Sequence, residues 1–422
     1  MRIALLTQSY PPMISGASLF VLHLAKGLTA RGHDCLVIAA SDTGKPYIQQ
    51  ENRLTIVRLA SFPNPVRARQ HFILWAYKEI YRELQNFQPD VIHMHDLLTV
   101  GLAGVFAGNR LGVPITLTTH QLPWFVTSYL PDWPYLRRFV ETALWKYAQW
   151  LDTNTYRFIS PTPTIAQTVE SYTGICPAVI GYGLDSDRFT PQPSEPGERE
   201  ALCNKFGVDP ARPIILHVGR LDVDKQVHLV IEAAAKAMQT TNAQFLVIGD
   251  GAQRDPLIHL AAQCGIADRV YFPGFANPNG DLPGLYRMAS VFVTASEIET
   301  QGLVLLEAMA SGVPVVAVRA TCIPEVVHDG LNGCLVEPKD VNGMAARIVA
   351  LLAAPNEVQE MGRVARAVAE RHSSTRMFAA HEGLYTEMAT NNVTNPAISV
   401  PPMLRKPRRR HSFFSRFMDD IL

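Results

Sequence analysis

What most constrains this chain is a strand, loop, helix, strand pattern that occurs twice, once at the start and again near the middle. Residues 2–8 (RIALLTQ) are a near-continuous apolar run. A Pro/Ser/Gly loop follows, then the helical periodicity LFVLHLAKGLTARGH closed by Gly32, then the run CLVIAA. Residues 213–219 (PIILHVG), the helical stretch VHLVIEAAAKAMQ and residues 244–251 (QFLVIGDG) repeat the arrangement. Further strands are expected at 53–60, 90–96, 114–120, 157–160, 269–274, 291–296 and 313–318. Strands alternating with helices imply two parallel, doubly wound α/β sheets with ligands at their carboxyl ends, and the cleft between the halves as the active site.

At 422 residues the chain suits two domains of roughly 200 residues each. Pro, Ser and charged residues interrupt both periodicities at 190–201, which reads as a linker, and the turn-rich GYGLDSDRF at 181–189 is the better hinge. A last helix is expected over 375–390, with an apolar stripe through Met377, Phe378, Leu384, Tyr385 and Met388. A flexible connector and a separate tail occupy 391–422.

The balance of 38 basic and 38 acidic side chains argues against a general nucleic-acid coat, so any charged partner is met locally. Cys35, Cys176, Cys203, Cys264, Cys322 and Cys334 form no CxxC pair, which favours reduced, mostly buried thiols and a cytosolic compartment. The opening apolar run is too short for a signal peptide, and no apolar stretch is long enough to span a bilayer.

The chemistry is densest in ETQGLVLLEAMASGVP, residues 299–314. Glu299 precedes an apolar helix, Glu307 lies within it, and Gly302 opens it. A helix start presents unpaired N–H groups and a positive dipole end, so the backbone at Gly302 and Leu303 suits a phosphate. The flanking carboxylates suit sugar hydroxyls. The plainer alternative is an amphipathic helix with solvated acids. In VGRLDVDK (218–225), Arg220 offers a planar fork and Lys225 a point charge for a diphosphate; the competing assignment pairs both with Asp222 and Asp224. His93 and His95 share one strand face as a metal pair would, but no third ligand stands at suitable spacing.

In order, PPMISGAS (11–18), TTHQLPW (118–124), GYGLDSDRF (181–189), VGRLDVDK (218–225), IGDG (248–251), FPGF (272–275) and the double-glutamate block resemble the retaining family-4 glycosyltransferases of GT-B fold. The resemblance covers about residues 1–390. It implies two Rossmann-like domains facing a central cleft: an acceptor-side domain over 1–185, joined by the returning helix 375–390, and a nucleotide-sugar donor domain over 186–374. It assigns Arg220 and Lys225 to the donor diphosphate, Glu307 to the nucleotide ribose, and Glu299 to the donor sugar hydroxyls. Gly16, Gly219, Gly251, Gly302 and Leu303 line the donor, and His120 meets the donor sugar near the anomeric carbon. His120 also suits proton movement near neutral pH. His95 and Trp124 fall on the acceptor side. Relatives often carry paired glycines where this chain has Ser15-Gly16, so half of that pattern is absent. The implied reaction retains anomeric configuration and needs neither metal nor cofactor beyond the nucleotide-sugar co-substrate.

Two further features bear on the acceptor. Residues 123–150 hold nine aromatics interleaved with Arg137, Arg138 and Lys146, and 64–81 has a similar mixture. These suit an interfacial surface or an apolar groove, or else plain core. In the tail, Phe413, Phe414, Phe417, Met418, Ile421 and Leu422 fall on one helical face behind five basic residues at 405, 406 and 408–410. Basic charge plus an apolar stripe is a two-signal peripheral anchor for anionic membrane; a partner-docking helix or a disordered tail are the alternatives. The expected enzyme is therefore cytoplasmic, peripheral on the inner face of the cell membrane, and transfers a hexose to a lipid or lipid-linked acceptor. A soluble sugar or polysaccharide acceptor, or a catalytically silent nucleotide-sugar-binding scaffold, are the other readings.

Overall fold

A computed structural model describes residues 1–394 other than 14, 65–69, 128–129 and 278–279. The 401–422 tail lies outside the described residues. The first ten strands are β1 (Arg2–Leu6), β2 (Asp34–Ala40), β3 (Tyr47–Glu51), β4 (Leu54–Leu59), β5 (Phe62–Pro63), β6 (His71–Phe72), β7 (Val91–Met94), β8 (Ile115–Thr118), β9 (Arg157–Ser160) and β10 (Ala178–Val179). Eight of them form one sheet in the order β10-β9-β8-β7-β1-β2-β4-β3. All neighbours in it run parallel except β3, which is antiparallel to β4. β5 and β6 make a separate hairpin. The second sheet comprises β11 (Ile214–Val218), β12 (Gln244–Ile248), β13 (Val270–Gly274), β14 (Val291–Val293), β15 (Val315–Val318) and β16 (Gly333–Val336). It is wholly parallel in the order β13-β12-β11-β14-β15-β16.

Every strand expected from apolar runs is present. The edge strand β3, the hairpin, β10 and β16 were not expected. β3 reads YIQQE and is almost wholly exposed, so it lacks the apolar run that marks a buried parallel strand. In both sheets the strand order reverses beside the first strand, between β1 and β7 and between β11 and β14. Crevices open at the carboxyl ends of the strands at such points.

Alternation along the central strands feeds two layers. Ile3 and Leu5 pack on one face of the first sheet, and Ala4 and Leu6 on the other. The first face is covered by the Gly16–Ala30 helix and by the final helix, Ser374–Thr394, which returns from the second half. Met377, Phe378, Leu384, Tyr385 and Met388 are all buried there. At about 1.5–3 kcal/mol per side chain, this stripe is worth on the order of 10 kcal/mol. Glu382 adds an ion pair to Arg31 at 3.2 Å and a hydrogen bond with His33 Nε2 at 3.0 Å.

The chain crosses between halves twice, and the crossings are stitched together. Leu184 N donates to His372 O at 2.7 Å, and Ser374 N donates to Leu184 O at 2.8 Å. Gly183 sits at φ 72°, where a Cβ would stand 2.9 Å from Ser374 Cα, so only glycine fits this contact. The expected 190–201 linker is shorter than its composition suggests. Arg287 holds it by donating to Thr190 O at 3.4 Å, Ser194 Oγ at 3.1 Å and the Glu198 carboxylate at 2.6 Å. A helix already begins at Glu198. Two doubly wound sheets facing one cleft, with the last helix returning to the first, are the arrangement the GT-B resemblance implies.

Gly27 tests the helix return. Alanine there would gain about 1 kcal/mol of helix propensity, yet its Cβ would lie 1.9 Å from Phe378 Cζ. Because that ring is buried, overlap outweighs propensity. Gly27→Ala should cost about 1–2 kcal/mol net and lower Tm by a few degrees. Gly27→Ala combined with Phe378→Leu should recover part of the loss by differential scanning calorimetry.

Candidate active site

Most of the sequence-derived site residues follow the carboxyl ends of strands at or next to the two switch points, while Trp124, Leu303 and Glu307 lie within helices. Gly16 follows β1, His95 follows β7, and His120 follows β8. Gly219, Arg220 and Lys225 follow β11; Glu299 and Gly302 follow β14.

Arg220 is drawn into its own loop. It pairs with Asp222 and, at 2.9 Å, with Asp224, whose side chain is only 6% exposed. Lys225 departs from the local-pair alternative. Its Nζ reaches Glu299 at 2.5 Å and Ser296 Oγ at 3.4 Å, which joins the β11 and β14 loops. Each cation is thus held by carboxylates where the resemblance puts a diphosphate. Gly251 and Gly219 have reasons within the protein. A Cβ at 251 would meet Leu221 O at 2.5 Å, and one at 219 would meet His217 Nε2 at 3.3 Å.

Gly302 has φ 72° and opens the Leu303–Ala310 helix with no side chain capping it. Glu307, within that helix, accepts a hydrogen bond from Tyr286 Oη at 2.8 Å. Burial pushes its carboxyl up to about 7, against the opposing pull of the Tyr286 hydrogen bond and the Arg188 charge. Gly16 begins its helix behind a reciprocal Ser15–Ser18 cap. A Cβ at 16 would meet nothing within 4 Å, so the protein's own packing makes no demand for glycine there.

The histidines form a hydrogen-bonded group. His95 Nδ1 lies 3.0 Å from His120 Nε2, and His120 Nδ1 lies 3.2 Å from Tyr182 Oη. His93 is a satisfied core histidine, bonded to Tyr385 Oη at 2.6 Å and Thr118 Oγ1 at 2.7 Å. Burial depresses the His120 pKa to about 3 and drives His93 and His95 well below the usual range. All three are neutral near pH 7, so in the free protein His120 is a hydrogen-bonding group and not the titrating one its residue type suggested. Trp124 packs edge-on against Trp145 and Tyr172, at centroid distances of 6.2 and 6.4 Å, in an aromatic cluster of the first domain. Among the described residues no group of three His, Cys, Asp or Glu side chains is placed to hold a metal.

Sequence reasoning missed four contributors. Arg58, 1% exposed, donates to Tyr10 O at 3.2 Å, Ala40 O at 3.1 Å and Pro11 O, and so anchors the loop before Gly16. Its one signal was an arginine inside the apolar strand LTIVRL. Gln301 accepts from Tyr182 N at 2.6 Å, and Thr300 Oγ1 lies 3.3 Å from Tyr182 Oη, so the donor loop grips the hinge.

Two family descriptions match: Glycosyltransferase Family 4 over residues 14–188, and Glycosyl transferases group 1 over 198–368. A D-inositol 3-phosphate glycosyltransferase of Geodermatophilus obscurus is 30% identical, with 93% of this chain and 89% of the relative aligned. The chain belongs to the family-4 glycosyltransferases. The enzyme is also 27% identical to the alpha-monoglucosyldiacylglycerol synthase of Acholeplasma laidlawii, over 79% of this chain and 84% of that one. Its fold matches Anabaena HepE, solved in complex with UDP-glucose, with a TM-score of 0.72 at 20% identity, over 92% of this chain and 100% of HepE.

Glu307 carries a pH signature. Between about 4.5, its ordinary value, and about 7, the folded enzyme binds a proton that the unfolded chain has released. Ionising Glu307 therefore destabilises the fold as pH rises through this window. Glu307→Gln keeps an acceptor for Tyr286 and should stabilise the ligand-free enzyme at pH 8 by roughly 1–3 kcal/mol, discounted for partial exposure. At pH 4.5 the advantage should vanish. Thermal melts across pH check this; an equal effect at both pH values contradicts it.

Proposed function

We propose that the enzyme transfers a hexose from a nucleoside diphosphate sugar to a lipid or lipid-linked acceptor at a membrane surface, with retention of anomeric configuration. The observation that carries this reading is the convergence of Arg220, Lys225, Glu299 and the uncapped helix start at Gly302 on one switch point. Two cations and a helix dipole suit the charge that grows on a departing diphosphate, each contact contributing about 2–4 kcal/mol in the transition state. Glu299, which Lys225 holds in the free enzyme, would accept from sugar hydroxyls, and Glu307 from the ribose. The bond from C1 to the diphosphate breaks, the acceptor oxygen bonds to C1 on the same face, and the acceptor proton passes to the departing phosphate. No metal is assigned a role, since Arg220 and Lys225 already supply positive charge.

Support for a lipid acceptor comes from the likeness to an alpha-monoglucosyldiacylglycerol synthase and from the first domain's surface. There Trp133, Tyr135 and Phe139 are 65%, 91% and 71% exposed, with Arg138 and Lys146 exposed on the same helix. Leu74 and Trp75, from the other aromatic stretch, are exposed too. The remaining aromatics of 123–150 divide differently: Trp145 is buried and Trp150 partly so. No helix among the described residues is long and apolar enough to cross a membrane. The basic, apolar-striped tail adds charge for anionic lipid. The inositol phosphate relative favours a second reading, a soluble acceptor.

Mass spectrometry of products from mixed UDP-, GDP- and ADP-sugars offered with a membrane lipid extract separates these readings. A hexosylated lipid supports the first; a product formed only on soluble sugars or their phosphates rejects it. Arg220→Ala or Lys225→Ala should lower turnover at least about tenfold with the circular dichroism spectrum unchanged. Wild-type activity should survive EDTA. Near-normal turnover in both variants, or a loss in EDTA that magnesium restores, contradicts the assigned chemistry.

A further inference from the structure

Tyr182 stands between two glycines at the hinge, and its side chain touches both halves of the enzyme. Its ring stacks on His120 with centroids 5.3 Å apart, while its hydroxyl lies between His120 Nδ1, at 3.2 Å, and Thr300 Oγ1, at 3.3 Å. Beyond His120 the chain continues to His95 Nδ1 at 3.0 Å. It ends at His95 Nε2, which is buried with no hydrogen-bond partner among the described residues.

That ending sets the direction of every bond in the chain. Each neutral imidazole carries one proton. A buried N–H without an acceptor is among the rarest of unsatisfied groups, so His95 keeps its proton on Nδ1 and leaves Nε2 bare. His95 Nδ1–H then donates to His120 Nε2, His120 Nδ1–H donates to Tyr182 Oη, and the phenol donates to Thr300. The Thr300 hydroxyl remains with a proton to give, one residue from Glu299. Reversing the chain would bury a lone N–H at His95.

We propose that Tyr182 is a positioning residue for the transfer reaction: its hydroxyl holds His120 in the Nδ1–H tautomer and ties that imidazole to the donor loop at Thr300. This rests on the reading in which His120 meets the donor sugar. Since both ring nitrogens are engaged, His120 can bond a sugar hydroxyl at Nε2 only by exchanging His95 for it, and there it acts as an acceptor. Losing the phenol would remove the acceptor for Nδ1–H and free the imidazole to flip.

Tyr182→Phe, which keeps the ring, is the test, with Thr300→Val as a second variant that cuts the far end of the chain. Two-dimensional nitrogen NMR of the ligand-free protein reads the tautomers without any substrate. Wild type should show His95 and His120 protonated on Nδ1; in Tyr182→Phe a lone N–H is left at one end of the pair whichever way it runs, so both histidines should shift from that single tautomer to a mixture of Nδ1–H and Nε2–H. Activity is read as release of nucleoside diphosphate from the nucleotide sugar without acceptor, so the acceptor's identity does not enter. Tyr182→Phe should lower kcat about tenfold with KM changed less than about twofold, and Thr300→Val should lower kcat by a smaller factor. A wild-type His120 protonated on Nε2, an unmoved tautomer in Tyr182→Phe, or an unchanged kcat overturns the proposal. Full activity in His120→Ala, measured alongside, identifies failure of the donor-site reading instead.

Discussion

The double crossing at Leu184 and His372–Ser374 governs where the two sheets can face each other. Two backbone hydrogen bonds and a glycine without room for a Cβ lock the outgoing and returning strands of chain together. The returning helix then buries five large apolar side chains on the first sheet. The first half is not complete without this exchange, because one face of its sheet takes part of its cover from residues beyond 374. The cleft between the carboxyl ends of β1 and β7 on one side, and β11 and β14 on the other, is a consequence of that packing.

The two cations at the β11 loop are paired with three carboxylates before any ligand arrives. Arg220 is held by Asp222 and Asp224, and Lys225 by Glu299. Both cations keep part of their contact with water, so these pairs add little stability but keep the guanidinium and ammonium pre-positioned. Glu307 sits at the opposite balance. Its carboxyl lies beside the Tyr286 phenol, and desolvation disfavours its ionised form in the free enzyme.

The architecture was legible because parallel strands buried on both faces leave near-continuous apolar runs, and each run from RIALLTQ to VPVVAV became a strand. What escaped was whatever lacks that pattern. β3 is polar and exposed, and the linker was read from composition although Arg287, far along the chain, straps it down. For the site, residue type and position pointed to Arg220, Lys225 and Glu299, which follow β11 and β14, and to Glu307 within the next helix. Sequence could not show that Lys225 would turn from Asp222 and Asp224 to a glutamate 74 residues on, nor that Trp124 would join a core cluster. Arg58 and Tyr182 act through contacts across the fold, to backbone carbonyls and to a neighbouring imidazole, and no spacing rule encodes such contacts. His120 was found by its place at the end of β8. Its neutrality follows from burial among other histidines, which only the packing reveals.

The central claim is that the cations at the β11 loop exchange their own carboxylates for a donor diphosphate. A crystal structure of the enzyme with a bound nucleoside diphosphate tests it most directly. The account predicts diphosphate oxygens within hydrogen-bond distance of Arg220, Lys225 and the backbone at Leu303, with the ribose on Glu307 and the Lys225–Glu299 pair opened. A nucleotide bound elsewhere, with Arg220 still on Asp222 and Asp224 and Lys225 still on Glu299, would contradict it.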